Sequence, residues 1–154
     1  MNYPRINGWI LAMTVSIGLV LADTASAEQA SRFNGYVAHY NTFNSTLLTP
    51  DVARAYGITR SGNLALLNVA VLKENPGALN EPVNARVDVQ ATNLAGQRKV
   101  IEMTEIEDAG AIYYIGTFRI RNEERINFVI NVTPVNGMAR PHTIRFNQIF
   151  YAEQ

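Results

Sequence analysis

The chain has 154 residues, no cysteine, and thirteen basic against thirteen acidic residues, for a formal net charge of zero. That length suits one domain, and the missing cysteines exclude a disulfide scaffold, thiolate metal ligation and lipid attachment through cysteine. The balanced charge lacks the basic footprint that neutralising nucleic-acid phosphates requires, so nucleic-acid binding is set aside, as is a basic membrane-surface helix.

Met1 to Arg5 form a weakly positive start, Trp9 to Leu21 are mostly apolar, and Asp23-Thr24 lead into the small-residue run Ala25-Ser26-Ala27. This is the order of a secretion signal, with cleavage expected after Ala27. The apolar run is shorter than the ~20 residues that span a bilayer as a helix. Residues 28–154 are then expected to form a single exported domain, without a membrane span once the signal is removed. A chain of this size buries roughly two-thirds of the surface its unfolded form exposes, so core packing can replace crosslinks. A cysteine-free exported chain suits a bacterial periplasm, where the sequons at Asn44 and Asn131 would be coincidental.

Aromatic and β-branched residues make Phe33 to Phe43 the first expected strand, with Val37 and His39 on one face and Tyr36, Ala38 and Tyr40 on the other. Thr49 to Gly57 read as a helix of under two turns: a capping hydroxyl at Thr49, Pro50 at the first position, Asp51 near the positive end and Gly57 as the stop. So short a helix needs packing to persist, and it is expected to cover an open end of the core. Asn63 to Glu74 are apolar on both faces, the pattern of a central strand. Val83 to Ala91 alternate cleanly, and Arg98 to Ile106 return with Ile101 and Met103 inward. Ile112 to Ile120 follow, then a charged turn at Arg121 to Glu124, then alternation from Ile126 to Val132. Asn136-Gly137 is expected to turn the chain with positive φ at both positions. The last strand runs from His142 to Tyr151, with Ile144, Phe146 and Phe150 inward and its Ile149–Tyr151 end a candidate edge for a partner strand.

Seven strands separated by turns predict an all-β, immunoglobulin-like antiparallel β-sandwich with one short helix between the first two strands; an eight-stranded barrel is the alternative. Several stretches carry a resemblance: Val37-Ala38-His39-Tyr40-Asn41-Thr42-Phe43-Asn44-Ser45-Thr46, Pro50-Asp51-Val52-Ala53 with Tyr56-Gly57-Ile58, Ala111-Ile112-Tyr113-Tyr114, and Phe146-Asn147-Gln148-Ile149-Phe150. On these the chain resembles the domain-of-unknown-function family DUF4426, small exported proteins of gammaproteobacteria. The resemblance covers essentially everything after Ala27. It implies an immunoglobulin-like sandwich in the periplasm and carries no catalytic residue.

The residues themselves offer no catalytic, cofactor-binding or metal set. His39 and His142 are the two histidines, Met103 and Met138 the methionines beyond the signal, and no acidic residue has ligand spacing to either histidine. Ser31, Ser45 and Ser61 stand outside a nucleophile elbow. Glu102, Glu105, Glu107 and Asp108 read as a solvated acidic rim that Arg119, Arg121 and Arg125 can offset. The informative stretch is polar and aromatic: Tyr36, His39, Tyr40, Asn41, Asn44 and Asp51 form the candidate recognition patch. The expected function is a non-enzymatic binding or accessory module for an envelope protein or peptide, without cofactor. A small hydrolase using Asp51 or the Glu102–Asp108 carboxylates, and a metal carrier, are the alternatives.

Overall fold

The computed structural model describes residues 29–137 and 140–153. The predicted leader over residues 1–27 and Met138 lie outside the described residues. Among the described residues ten strands form: β1 (Gln29–Phe33), β2 (Tyr36–Asn44), β3 (Leu64–Lys73), β4 (Glu81–Pro82), β5 (Ala85–Asn93), β6 (Arg98–Lys99), β7 (Thr104–Asp108), β8 (Ala111–Arg119), β9 (Glu124–Pro134) and β10 (His142–Phe150). A 3-10 turn (Ser45–Leu47) and one helix, α1 (Pro50–Ala55), join β2 to β3. All pairings are antiparallel. The larger sheet runs β1-β2-β3-β8-β7 with β4 beside β3, and the smaller runs β10-β9-β5-β6. This is the predicted sandwich of two packed sheets, and its two separate strand orders replace the barrel alternative.

The expected first strand is a hairpin corner plus a strand. Asn34 and Gly35 both take positive φ, 46° and 79°, so β1 folds back on β2 with Phe33 opposite Tyr36. This is the two-residue turn that matches the twist of paired strands. The helix therefore follows the second strand of the chain. At Asn136-Gly137, by contrast, neither residue takes positive φ. Pro134 accepts from the Gly137 N–H instead, and Gly137 lies against the Tyr36 ring, where a Cβ would clash.

The core matches the two-residue periodicity. Ala38, Ala65, Leu67, Val69, Val71, Tyr114 and Phe118 face Ala85, Ala91, Ile126, Phe128, Ile130, Val132, Ile144 and Phe150 across the sheets. Phe118 meets Phe128 and Phe150 edge-on with ring centroids 5.5 and 5.4 Å apart, and Phe146 stacks on Phe128 at 4.7 Å. Such offset and edge-to-face pairs add ~0.5–1.5 kcal/mol each beyond burial.

The stretch predicted as one strand from Arg98 to Ile106 changes sheets. Arg98 and Lys99 pair with β5, whereas Thr104 to Asp108 pair with β8. Between them Ile101 is buried and Met103 packs on the core, the two inward residues expected. Gly116 makes room: a Cβ there would sit 2.5 Å from Ile101 Cγ2 and 2.7 Å from Met103 Sδ.

The predicted charged turn conceals a buried acid. Glu124 is 8% exposed and opens β9. Its carboxylate accepts from Lys99 Nζ (2.8 Å), Asn93 Nδ2 (2.9 Å) and the Arg121 N–H (3.0 Å). Burial alone pushes its carboxyl up, but these donors together outweigh burial and hold it below the usual value. The acidic rim is offset in a way not foreseen: Glu105 accepts from Tyr114 Oη and Asn84, and Asp108 from Tyr56. Arg119, Arg121 and Arg125 form no ion pair among the described residues. Tyr114 Oη also accepts the Ala85 N–H at 2.7 Å, and burial above all pushes its hydroxyl up to about 12.

Candidate functional site

Helix α1 forms for the local reasons expected. Thr49 caps it by accepting from the Val52 N–H at 3.3 Å, Pro50 starts it, and Asp51 stands in the first turn. Its exit is a Schellman motif: the Ile58 N–H reaches Ala53 O at 2.8 Å and the Gly57 N–H reaches Arg54 O at 3.3 Å, with Gly57 at φ 65°. The helix does not plug the end of the sandwich. It lies over the outer face of the larger sheet, because the exit turn directs Ile58 back onto β3 and β8.

Under it runs a cleft of about 200 Å³, lined by Leu48, Val52, Tyr56 and Ile58 from the covering segment, by Phe43, Leu66, Asn68, Tyr113 and Ile115 from the sheet, and by Asp108. A neighbouring hollow of about 220 Å³ shares Tyr56, Ile58 and Ile115 and is bordered by Glu102, Thr104 and Thr117. Tyr56 Oη donates to Asp108 Oδ2 at 2.8 Å, tying the end of α1 to the β7–β8 turn. That hydrogen bond first, and then burial, raises the Tyr56 hydroxyl above its ordinary pKa.

Asn68 is the unusual residue of the cleft. It sits on β3 opposite Asn41 and Ile115, among residues apolar on both faces. Its Oδ1 is buried and has no hydrogen-bond partner among the described residues. An unmet buried acceptor costs ~1–3 kcal/mol. Asn68 was absent from the sequence-derived candidates. The available signal was a lone carboxamide inside a strand whose neighbours are all apolar.

Strand alternation distributes the six candidate patch residues. Tyr36 and Tyr40 turn inward and pack on the core, Tyr40 against Phe146 at 5.0 Å. His39 and Asn41 lie on the opposite, outer face of the same strand, where Asn41 borders Asn68. Asn44 closes the strand end by donating to Tyr151 O at 2.8 Å. Asp51 is solvent-exposed and paired with Arg54 at 3.0 Å. The six do not converge on one surface; His39 and Asn41 share the face that carries the cleft.

His142 and Ser31 meet at 2.8 Å between the sheets, and the His142 ring stacks on Phe33 at 4.1 Å. Burial lowers the His142 pKa below its ordinary value. A hydroxyl beside an imidazole is the start of a nucleophile–base pair, yet among the described residues no carboxylate orients the other ring nitrogen. No group of three or more His, Asp or Glu side chains able to hold a metal gathers among the described residues. The last strand, β10, is an edge of the smaller sheet, as its sequence suggested. Thr42 reaches across to it, donating to Gln148 Oε1 at 2.5 Å, while Gln148 Nε2 donates to Thr42 O at 3.3 Å. No described helix is long and apolar enough to cross a membrane.

Comparison with known proteins places this geometry in context. The family model for the Domain of unknown function (DUF4426) matches residues 30–153. The chain is similar to the crystal structure of a DUF4426 family protein from Pseudomonas aeruginosa PAO1, with 32% identity and a TM-score of 0.71 over 82% of this chain and 97% of that one. It also shares its fold with FetP of uropathogenic E. coli strain F11, at 9% identity and a TM-score of 0.59, over 83% of this chain and 96% of that one. No curated protein matches.

Proposed function

The chain belongs to the DUF4426 family, and from that premise we propose that it is a soluble, non-enzymatic binding or accessory module of the cell envelope. Residues 1–27 direct its export and are removed after Ala27, and residues 28–154 act in the periplasm as one domain. The outer-face cleft is the binding site. The observation that carries this reading is the cleft itself: an apolar recess over β3 and β8, bordered by the polar side chains of Asn68, Tyr56, Asp108 and Tyr113. Concave, mostly apolar recesses with a few placed polar groups are where small ligands and side chains bind. Export is supported by the positive, apolar and small-residue order of the first 27 residues. FetP, which shares the fold, was recombinantly expressed in the periplasm of E. coli.

Two measurements test the proposal. Cell fractionation followed by amino-terminal sequencing is expected to find the protein in the periplasmic fraction, starting at Glu28; an intact Met1 terminus or a cytoplasmic location rejects export. For the site, the intact protein is compared with Val52→Trp, in which an indole fills the cleft. Both are incubated with envelope extract, and retained small molecules and peptides are identified by mass spectrometry. Species bound by the intact protein and lost from the variant are expected. The same set on both, or none on either, removes the cleft from consideration.

A further inference from the structure

We infer that the free edge of β10 docks a second copy of this chain: two copies pair their last strands antiparallel about Phe146 and join their smaller sheets into one.

Backbone parity shows what the edge offers. In an antiparallel sheet, alternate residues direct their N–H and C=O to one neighbouring strand and then to the other. The Val135 N–H donates to Asn84 O at the end of the β5–β9 ladder, so odd-numbered residues of β9 bond to β5 and even-numbered ones to β10. Ala85 agrees, because its N–H turns away from β9 and donates to Tyr114 Oη. Val132 stands opposite His142 and Glu124 opposite Phe150, so the even-numbered residues of β10 are the ones bonded to β9. The N–H and C=O of Thr143, Arg145, Asn147 and Ile149 therefore point away from the sheet, and among the described residues none of these groups has a hydrogen-bond partner.

The other edges are short or guarded. Strands β4 and β6 have two residues each, and β1 has five and carries Arg32. The Ile120 N–H donates to Asn63 O, which fixes the parity of β8 in the same way and leaves β7 facing outward at Glu105 and Glu107, two acids that repel a strand of their own kind. Where β2 runs on past β1, Gln148 Nε2 caps the uncovered Thr42 carbonyl. By contrast β10 has nine residues and one permanent charge, Arg145. A long edge with little charge is a template for strand addition.

The strand's own sequence selects the occupant. Centred on Phe146, two copies overlap along the whole strand, with His142 opposite Phe150 of the second copy. Thr143 then meets the second copy's Ile149 and Arg145 its Asn147, so every outward N–H and C=O is paired and each guanidinium gains a carboxamide acceptor. A slip of two residues either way shortens the overlap, and one of the two slips sets Arg145 directly against the second copy's Arg145, a destabilising like-charge pair. Pro141 ends the edge, since its place in the alternation calls for an outward N–H that proline lacks. In the centred register it falls beside the second copy's Tyr151. Leu47, Ile149 and Tyr151 are 70%, 37% and 58% exposed and border one recess of about 280 Å³ at that end of β10. Pairing covers part of this hydrocarbon. The contact is two-fold, so it closes at a dimer and does not propagate into fibres.

Sedimentation of the purified exported protein over a dilution series tests this. A reversible monomer–dimer equilibrium is expected. In hydrogen exchange, the Thr143, Arg145, Asn147 and Ile149 amides are expected to slow about tenfold or more in the dimer, while those of Ile144, Phe146 and Gln148, already bonded to β9, are slow in both states. Asn147→Pro deletes an outward N–H and leaves the β9 ladder whole, and it is expected to weaken the dimer by about tenfold or more. Asn147→Glu sets a carboxylate opposite Arg145 on both sides of the axis and is expected to tighten the dimer about fivefold. Arg145→Glu/Asn147→Glu sets carboxylate against carboxylate and is expected to dimerise more weakly than the intact protein. The two charge variants decide the matter if the proline variant does not fold.

A monomer at every concentration overturns the proposal, including a monomer whose outward β10 amides become protected only when an extended peptide of another protein is added. A dimer that all three variants leave unchanged overturns it too, as does one whose outward β10 amides exchange as fast as in the monomer, because another surface then joins the copies.

Discussion

Strands β2 and β3 bury side chains on both faces, and the two faces are finished differently. Inward, Leu67, Val69 and Phe118 meet a second sheet, rings interdigitate, and the polar groups that enter have partners: Tyr114 with Ala85 and Glu105, Glu124 with Lys99, Asn93 and Arg121. Outward, Leu66 is as buried as the core residues, yet its cover is a 3-10 turn, a six-residue helix and a loop. A second sheet presents side chains at regular spacing and fills what it faces. A short helix touches the sheet only along one stripe and leaves a recess beside it. The difference teaches that a second sheet closes the face it covers, whereas a short helix and loops leave a recess over the outer face.

Substitutions can break that contrast, beginning with the sealed side. Phe128→Ala removes the ring that Phe118, Phe146 and Phe150 share and is expected to cost about 3–5 kcal/mol in chemical denaturation. A loss below about 1 kcal/mol would mean that the sheets are loosely packed after all. Next comes Glu124→Ala, which leaves Lys99 in a largely covered position without its counter-charge; about 3 kcal/mol is expected. Because the folded Glu124 carboxyl lies below its ordinary 4.5, its contribution is complete above that value and disappears as pH falls through the lower, folded one. The acid limb of a denaturation profile should therefore flatten in Glu124→Gln relative to the intact protein.

Gly116→Ala is expected to cost about 1–3 kcal/mol by pushing Ile101 and Met103 out of the sheet crossover, measured as a shift in denaturation midpoint. A smaller effect comes from His142. Burial makes its folded ring harder to protonate than the unfolded one, so the unfolded state binds more protons as pH falls below 6.5. Stability is expected to decline from about that pH down to the lowered folded value. His142→Phe, which keeps the stack on Phe33, should remove this step. The smallest change is predicted on the open side: Asn68→Leu should alter stability by under about 1 kcal/mol in either direction, since replacing an unmet acceptor with hydrocarbon offsets imperfect packing. A loss of several kcal/mol there would show that Asn68 has a structural partner and would narrow the contrast between the faces.

Much of this fold was legible in particular residues. Ile126, Phe128, Ile130 and Val132 alternate in the sequence and are all at most 1% exposed, and the Thr49-Pro50-Asp51 start and Gly57 stop bound the helix within a residue or two. Asn34-Gly35 carried a turn signal that the aromatic enrichment around it masked, and Asn136-Gly137 carried the same signal without the backbone conformation. Dipeptide preference is a local bias, and at Gly137 the chain packs against Tyr36 instead of following it. Glu124 read as part of a charged turn because its three donors are distant or irregular in sequence. None of the six patch residues lines the cleft, although His39 and Asn41 stand on the face that carries it, and Asn68 and the covering residues were not singled out.

Periodicity, caps and composition by themselves determined that the chain makes paired sheets with a hydrocarbon interior, which side chains turn inward along the cleanly alternating strands, and where its short helix begins and ends. Only the tertiary structure decided which strands are neighbours, that residues 98–108 pass from one sheet to the other, that α1 rests on an outer face, and that a cleft opens there beside Asn68. The reason is one of range. Alternation and capping are set by forces between residues a few positions apart, whereas the surface a helix lies on and the partner a buried polar atom finds depend on groups that only folding brings together.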